Sequence, residues 1–173
     1  MNDAMQTIMT RPSVRAFLDK PVPEETVERL LRAAMAAPSA KNSRPWAFVL
    51  IRDRAELEKL GAALPNAKMT ATAPLAVAIC GVMDKTLPGE AREYWIQDCA
   101  AATENFLLAV HALGLGAVWT GVHPISERIA ILKETLRLPD GVEPFCLIPF
   151  GWPACPAVVK DKWDPAAVHG DVW

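Results

Sequence analysis

The stretch APSAKNSRPWAF, residues 37 to 48, is where a helical pattern stops and a strand-like pattern starts. Before it, PVPEETVERLLRAAMAAP (21 to 38) sets Val27, Leu30, Leu31, Ala34 and Met35 on one face at helical spacing. Pro23, Glu24 and Glu25 suit that helix's first turn. After it, WAFVLIR (46 to 52) is an apolar run of strand length. Between them, Ser39, Lys41, Asn42, Ser43 and Arg44 crowd donors into one turn, closed by Pro45-Trp46. Helix, polar turn and strand in succession point to an α/β or α+β class built on one sheet.

The alternation continues in both directions. Residues 3 to 9 form a short helix that stops before Pro12. DRAELEKLGAAL (53 to 64) is a helix with Asp53 as its N-cap. LAVAICGV (75 to 82) and GAVWTGV (116 to 122) are strands, as is EPFCLIPFG (143 to 151), expected to end at Pro149. PISERIAILKETLRL (124 to 138) is a helix opened by Pro124, with Ser126 as an alternative cap. The longest helix spans 90 to 114 and ends at Gly114; from Cys99 to Leu113 it is apolar nearly all round. Its polar residues gather on one sector, with Gln97, Glu104 and His111 in a row and Asp98 and Asn105 beside them. Such a helix is buried on most sides, either at the centre of one domain or at a subunit interface. The tail from Trp152 to Trp173 has little periodicity and needs a surface to lie on. The chain, residues 1–173, reads as a single domain.

Lysine and arginine number 18 against 20 aspartate and glutamate. That balance argues against a general nucleic-acid or anionic-membrane surface, so an anion site has to be local. No segment approaches the roughly 20 apolar residues of a membrane span. Cys80, Cys99, Cys146 and Cys155 form no C-x-x-C pair and no set with metal-ligand spacing. They read as reduced thiols of a cytoplasmic protein.

Four segments carry chemistry. In TRPSVRAF (10 to 17), an extended chain points Arg11, Ser13 and Arg15 to one side, which suits a phosphate. Taken alone, a solvated loop with two surface arginines is the simpler account. The opening loop offers the Ser39, Asn42 and Arg44 side chains and the N–H groups around Ser39 and Ala40. A Ser39–Lys41 nucleophile lacks the S-x-x-K spacing and a further partner. In GLGAVWTGVHP (114 to 124), the glycines lie between helix and strand, the reverse of a dinucleotide-binding loop. Thr120-Gly121 would let backbone approach a flat ligand. In VVKDKWDPAAVH (158 to 169), Lys160 and Lys162 alternate around Asp161 and aim one way if extended. Taken alone, a solvated charged tail is the better account of that segment. His111, His123 and His169 are scattered, and no H-E-x-x-H, P-loop or G-x-S-x-G motif is present.

The order of these segments is more specific than any one of them. RPSVRAF, APSAKNSRPWAF, AAATENFLLAVHALGLGAVWTG and PFGWPACPAVVKDKW together resemble the FMN-dependent nitroreductase family in a short form. The resemblance implies an α+β fold with a central mixed or antiparallel sheet flanked by helices. It also implies a homodimer, with the C-terminal arm extending onto the partner subunit and FMN at each subunit interface. On the family pattern, Arg11, Ser13 and Arg15 hold the phosphate and the pyrimidine edge, and Lys160 and Lys162 join them. Pro38, Ser39 and Ala40 come from the partner subunit, Asn42 and Arg44 follow, and Thr120 and Gly121 lie near the reactive N5. A further pyrimidine contact falls at Asn66 or Lys68.

The resemblance implies an NAD(P)H-dependent oxidoreductase working by a ping-pong cycle on nitroaromatic, quinone or other electron-poor acceptors. A flavin-storing or flavin-sensing module, and a flavin-free domain, are the alternatives. Arg44 stands where the family usually has Gln, Lys162 where Arg is common, and Pro12 removes a donor from the phosphate loop. The segment between Val82 and Tyr94 is short where longer members carry lid helices.

Overall fold

The computed structural model describes residues 3–156 and 158–173. The elements follow in the order α1 (Asp3–Thr10), α2 (Glu24–Met35), β1 (Trp46–Ile51), α3 (Arg54–Ala63), β2 (Leu75–Val82), α4 (Tyr94–Ala112), β3 (Gly116–Ala117), β4 (Thr120–Gly121), α5 (Ser126–Leu136) and β5 (Val142–Gly151). The strands make one sheet in the order β1-β2-β5-β3, with β4 also on β5, and each pairing is antiparallel. The class is therefore α+β.

Strand β2 shows why its sequence is apolar without alternation. Leu75, Val77 and Ile79 point into a cluster with Leu30 of α2 and Cys99, Phe106 and Val110 of α4. Ala76, Ala78 and Cys80 point the other way, into a cluster with Leu57 and Leu60 of α3 and Leu132 of α5. Side chains alternate across a strand, so a strand covered on both faces must be apolar at every position. Helix α4, apolar on most sides, lies across one of these faces.

Local signals set the ends of the elements. The Asp53 carboxylate accepts the Glu56 N–H at 3.1 Å and caps α3. Gly114, at φ 75°, terminates α4: its N–H donates to the His111 carbonyl and the Leu115 N–H to the Val110 carbonyl, both at 3.0 Å. Helix α4 starts at Tyr94, after a 3-10 turn over Gly89–Glu93, and α5 starts at Ser126 with Ile125 at the cap position.

Two expected boundaries are corrected. Strand β5 runs through Pro149, and the GAVWTGV run is two short strands with a break between them. One cause explains both. In an antiparallel ladder a residue's N–H and C=O face the same neighbour. The Pro149 carbonyl accepts from Val118 N–H at 3.4 Å, so its missing N–H falls opposite the gap between β3 and β4.

The two ends of the chain are laced together beside β3. Val14 N–H donates to the Ala117 carbonyl at 2.9 Å, Leu18 N–H to Trp152 at 2.8 Å, and Ala154 N–H to Ala16 at 2.9 Å. The Lys20 ammonium sits over the Trp152 ring, 4.1 Å from its centroid. Beyond this lacing, the described residues of 154–173 are all exposed.

Candidate functional site

The lacing decides what the first motif presents. Val14 is buried against Gly116, where a Cβ would meet Val14 Cβ at 2.6 Å. Ser13 and Arg15 on either side are exposed, and Arg11 is half-buried. Arg11, Ser13 and Arg15 line a cavity of about 440 Å³ together with Lys160 and Lys162. Four cations and a hydroxyl face this space, and no carboxylate does. Cys155 sits on the same wall.

Arg15 also lines a second cavity of about 470 Å³, with Asn66, Lys68, Trp119, Thr120, Gly121 and Arg128. The Thr120 hydroxyl is turned inward and donates to the Leu147 carbonyl at 2.6 Å, which leaves backbone at this corner. Gly121 is exposed, and a Cβ built on it would meet nothing within 4 Å. Arg128 Nη1 donates to the Gly121 carbonyl at 2.9 Å. Trp119, which lines the same cavity as Gly121, is held edge-on by Phe145 at 5.5 Å between ring centroids.

Pro38, Ser39 and Ala40 line a third cavity, of about 370 Å³, with Tyr94, Gln97 and Asp98. It shares no residue with the other two. Asn42 and Arg44 are exposed and line none of the three. Within the chain, then, the structure brings Arg11, Ser13, Arg15, Lys160 and Lys162 together, and joins them through Arg15 to Asn66, Lys68, Thr120 and Gly121. It does not bring Pro38, Ser39, Ala40, Asn42 or Arg44 to them.

The 39–44 turn is wound tightly. Lys41, Asn42 and Arg44 have φ of 48°, 55° and 46°, in the left-handed region that non-glycine residues seldom occupy. Two side chains hold it: Ser39 Oγ accepts the Arg44 N–H at 3.0 Å, and the buried Asp98 accepts the Ala40 N–H at 2.9 Å. This bond gives the Ser39 hydroxyl a structural task.

The polar sector of α4 is spent in the same way. Glu104 Oε1 accepts from Arg11 Nε at 3.3 Å, and Asn105 Nδ2 donates to the Ala33 carbonyl at 3.1 Å. His111 Nε2 and Thr10 Oγ1 lie 2.9 Å apart. Burial, and then the Arg11 guanidinium, lower the His111 pKa below its ordinary value. Burial pushes the Cys80 and Cys146 thiols up to about 12 and raises Cys99 as well, so these three are inert core side chains.

Trp119 and Arg128 were not singled out from sequence. Trp119 had a readable signal, since the expected continuous strand over 116 to 122 would set it on the same face as Gly121. Arg128 had none, because its place depends on how α5 lies against β4. Among the described residues no group of three His, Cys, Asp or Glu side chains stands ready to hold a metal ion, and no helix is long and apolar enough to cross a membrane.

Comparison with known proteins bears on the family and the fold. A family model described as "Nitroreductase family" matches residues 8–67 and 61–152. A Methanothermobacter thermautotrophicus protein named "Putative NADH dehydrogenase/NAD(P)H nitroreductase" is 42% identical over 173 residues, covering 99% of this chain and 88% of its own. The crystal structure of a Parabacteroides distasonis protein of the same name superposes with a TM-score of 0.95 at 40% identity, covering 100% of both chains. An FMN-dependent nitroreductase from Clostridium difficile superposes with a TM-score of 0.89 at 26% identity, covering 98% of this chain and 99% of its own.

Proposed function

The chain belongs to the nitroreductase family, and from that premise we propose that it is an FMN-dependent NAD(P)H oxidoreductase of small electron-poor acceptors, nitroarenes and quinones among them. One observation carries the reading: a cavity walled by four cations, drawn from both ends of the chain, shares Arg15 with a second cavity at a backbone corner. The residues present fit the cofactor. A phosphate monoester wants charged donors and no carboxylate, which is what Arg11, Ser13, Arg15, Lys160 and Lys162 offer. A flat ring wants a wall without a protruding side chain, and Gly121 beside the Trp119 indole offers one.

Bound there, FMN would supply the redox chemistry, in a ping-pong cycle that takes hydride from NADH or NADPH and delivers it to the acceptor. The chain supplies position and charge. Arg11 and the two lysines anchor the phosphate end. Arg15 and Lys68 set positive charge beside the ring cavity, which favours the more negative, reduced cofactor over the oxidised one. Asn66 offers a neutral donor and acceptor on the same wall. No side chain is required as a general acid or base.

In our reading the working unit is a homodimer of single-domain protomers, and the Pro38–Ala40 loop with Asn42 and Arg44 completes the partner's site. Supporting this, that loop stands apart from the other site residues of its own chain and is nonetheless held in a strained, fixed shape. The free thiols Cys80, Cys99, Cys146 and Cys155 support a reducing, cytoplasmic setting.

The test is direct. The purified protein should be yellow and should oxidise NADH or NADPH when menadione or a nitroarene is added. Arg11→Ala and Arg15→Ala should each weaken FMN binding by about 1.5–3 kcal/mol, the worth of a charged hydrogen bond. A colourless chain that cannot be loaded with FMN would sink the reading, and a yellow chain inert to both nicotinamides would remove the enzymatic part of it.

A further inference from the structure

The polar row of α4 takes no part in the chemistry above, yet its side chains grip the segment that does. Arg11 can address an anion through either edge of its guanidinium. One edge is already engaged, because Nε donates to Glu104 Oε1 in a half-buried pair whose side chains are 22% and 45% exposed. The Nη groups take no part in that bond, and Arg11 lines the cavity that it shares with Ser13, Arg15, Lys160 and Lys162. Glu104 itself does not line that cavity. Two helical turns further along α4, His111 Nε2 lies 2.9 Å from the hydroxyl of Thr10, the residue just before Arg11. Of the four cations on the wall, Arg11 alone has an ion-pair partner among the described residues.

We propose that Glu104 is a positioning residue: it pins Arg11 through Nε, so that the Nη edge stands preformed toward a phosphate oxyanion. The proposal rests on the reading of this cavity as the cofactor's phosphate site. A free arginine loses its rotamer freedom when the ligand binds, whereas a pinned one has lost it on folding, so pinning strengthens binding without touching the ligand. The carboxylate's charge is spent on the guanidinium it holds, which limits its repulsion of the anion nearby.

Fluorescence titration of the apo chain with FMN and with riboflavin, which lacks the phosphate, tests this. Glu104→Ala should weaken FMN binding about three- to tenfold, the effect of freeing one rotamer-rich side chain. Riboflavin affinity should not change. Glu104→Gln, whose amide oxygen still accepts from Nε, should stay within about twofold of wild type. In an Arg11→Ala background, Glu104→Ala should add no further loss. The proposal is overturned if Glu104→Ala binds FMN as well as wild type, or weakens both flavins equally, or keeps its full effect without Arg11. A wild-type chain that prefers FMN beside an indifferent Glu104→Ala variant overturns the proposal alone. A wild-type chain with no preference for FMN over riboflavin overturns the reading of the cavity as well.

Discussion

A methyl group added at Gly61 and one added at Gly121 meet opposite surroundings. At Gly61 the new Cβ would lie 2.7 Å from the Ala71 backbone nitrogen, in the packed contact of α3 with the turn that follows it. Backbone cannot move aside, so Gly61→Ala should cost about 1–3 kcal/mol of stability, read as a lower urea midpoint. At Gly121 the Cβ would meet nothing within 4 Å. Gly121→Ala should leave the urea midpoint within about 0.5 kcal/mol of wild type and weaken FMN binding by about 1–3 kcal/mol, because the methyl would stand where a ring has to approach. If Gly121→Ala bound FMN normally, this corner would not be the ring's wall. Residue-scale reading from sequence had real reach here. Gly114 was legible as a helix stop and Asp53 as a cap, since each depends on near neighbours in the chain. Arg128 was not legible, because its bond to the Gly121 carbonyl depends on tertiary register.

Among the elements, α4 does most to turn local structure into a site. Its apolar residues pack on the sheet, and its polar sector reaches Ala40, Arg11, Ala33 and Thr10. The row was visible from the spacing of Gln97, Glu104 and His111 and of Asp98 and Asn105. Its partners were not, because they lie 58 to 101 residues away in the chain. Asp98 has the heaviest task. It is 6% exposed, and its carboxylate accepts the Ala40 N–H at the head of a turn with three non-glycine residues at positive φ. Each of those conformations costs on the order of 1–3 kcal/mol and persists because its surroundings impose it. Asp98→Ala should therefore lower stability by about 1–3 kcal/mol through the unsatisfied N–H. It should also raise amide hydrogen exchange across residues 39–44. Asp98→Asn keeps an acceptor and should lose less. Equal exchange in wild type and Asp98→Ala would mean that the turn holds itself. The misread boundaries also belong to this scale: Pro149 looked like a strand end because its effect falls on β3 and β4, not on its own strand.

For the molecule as a whole, a net charge of −2 coexists with a cavity that holds four cations, so positive charge is concentrated and not abundant. Two of the four come from the C-terminal arm, and that arm is poorly covered: Val158, Trp163, Val172 and Trp173 are 78%, 71%, 80% and 99% exposed. So much apolar surface on one strap needs a partner surface, and a second copy of the chain is the partner we propose. Truncation after Pro156 separates the arm's two tasks from folding. The core should still melt cooperatively, because the arm is exposed along its described length. FMN affinity should fall about ten- to a hundredfold with the loss of two charged contacts, the lower end reflecting the screening of exposed lysines. Light scattering should show the population moving from dimer toward monomer. The full-length Lys160→Ala/Lys162→Ala variant isolates the electrostatic share: it should remain dimeric and still lose FMN affinity, more so at low salt than at high. A truncated chain that is as dimeric as the full chain and binds FMN as tightly would remove the arm from both roles, leaving Arg11, Ser13 and Arg15 to hold the phosphate alone.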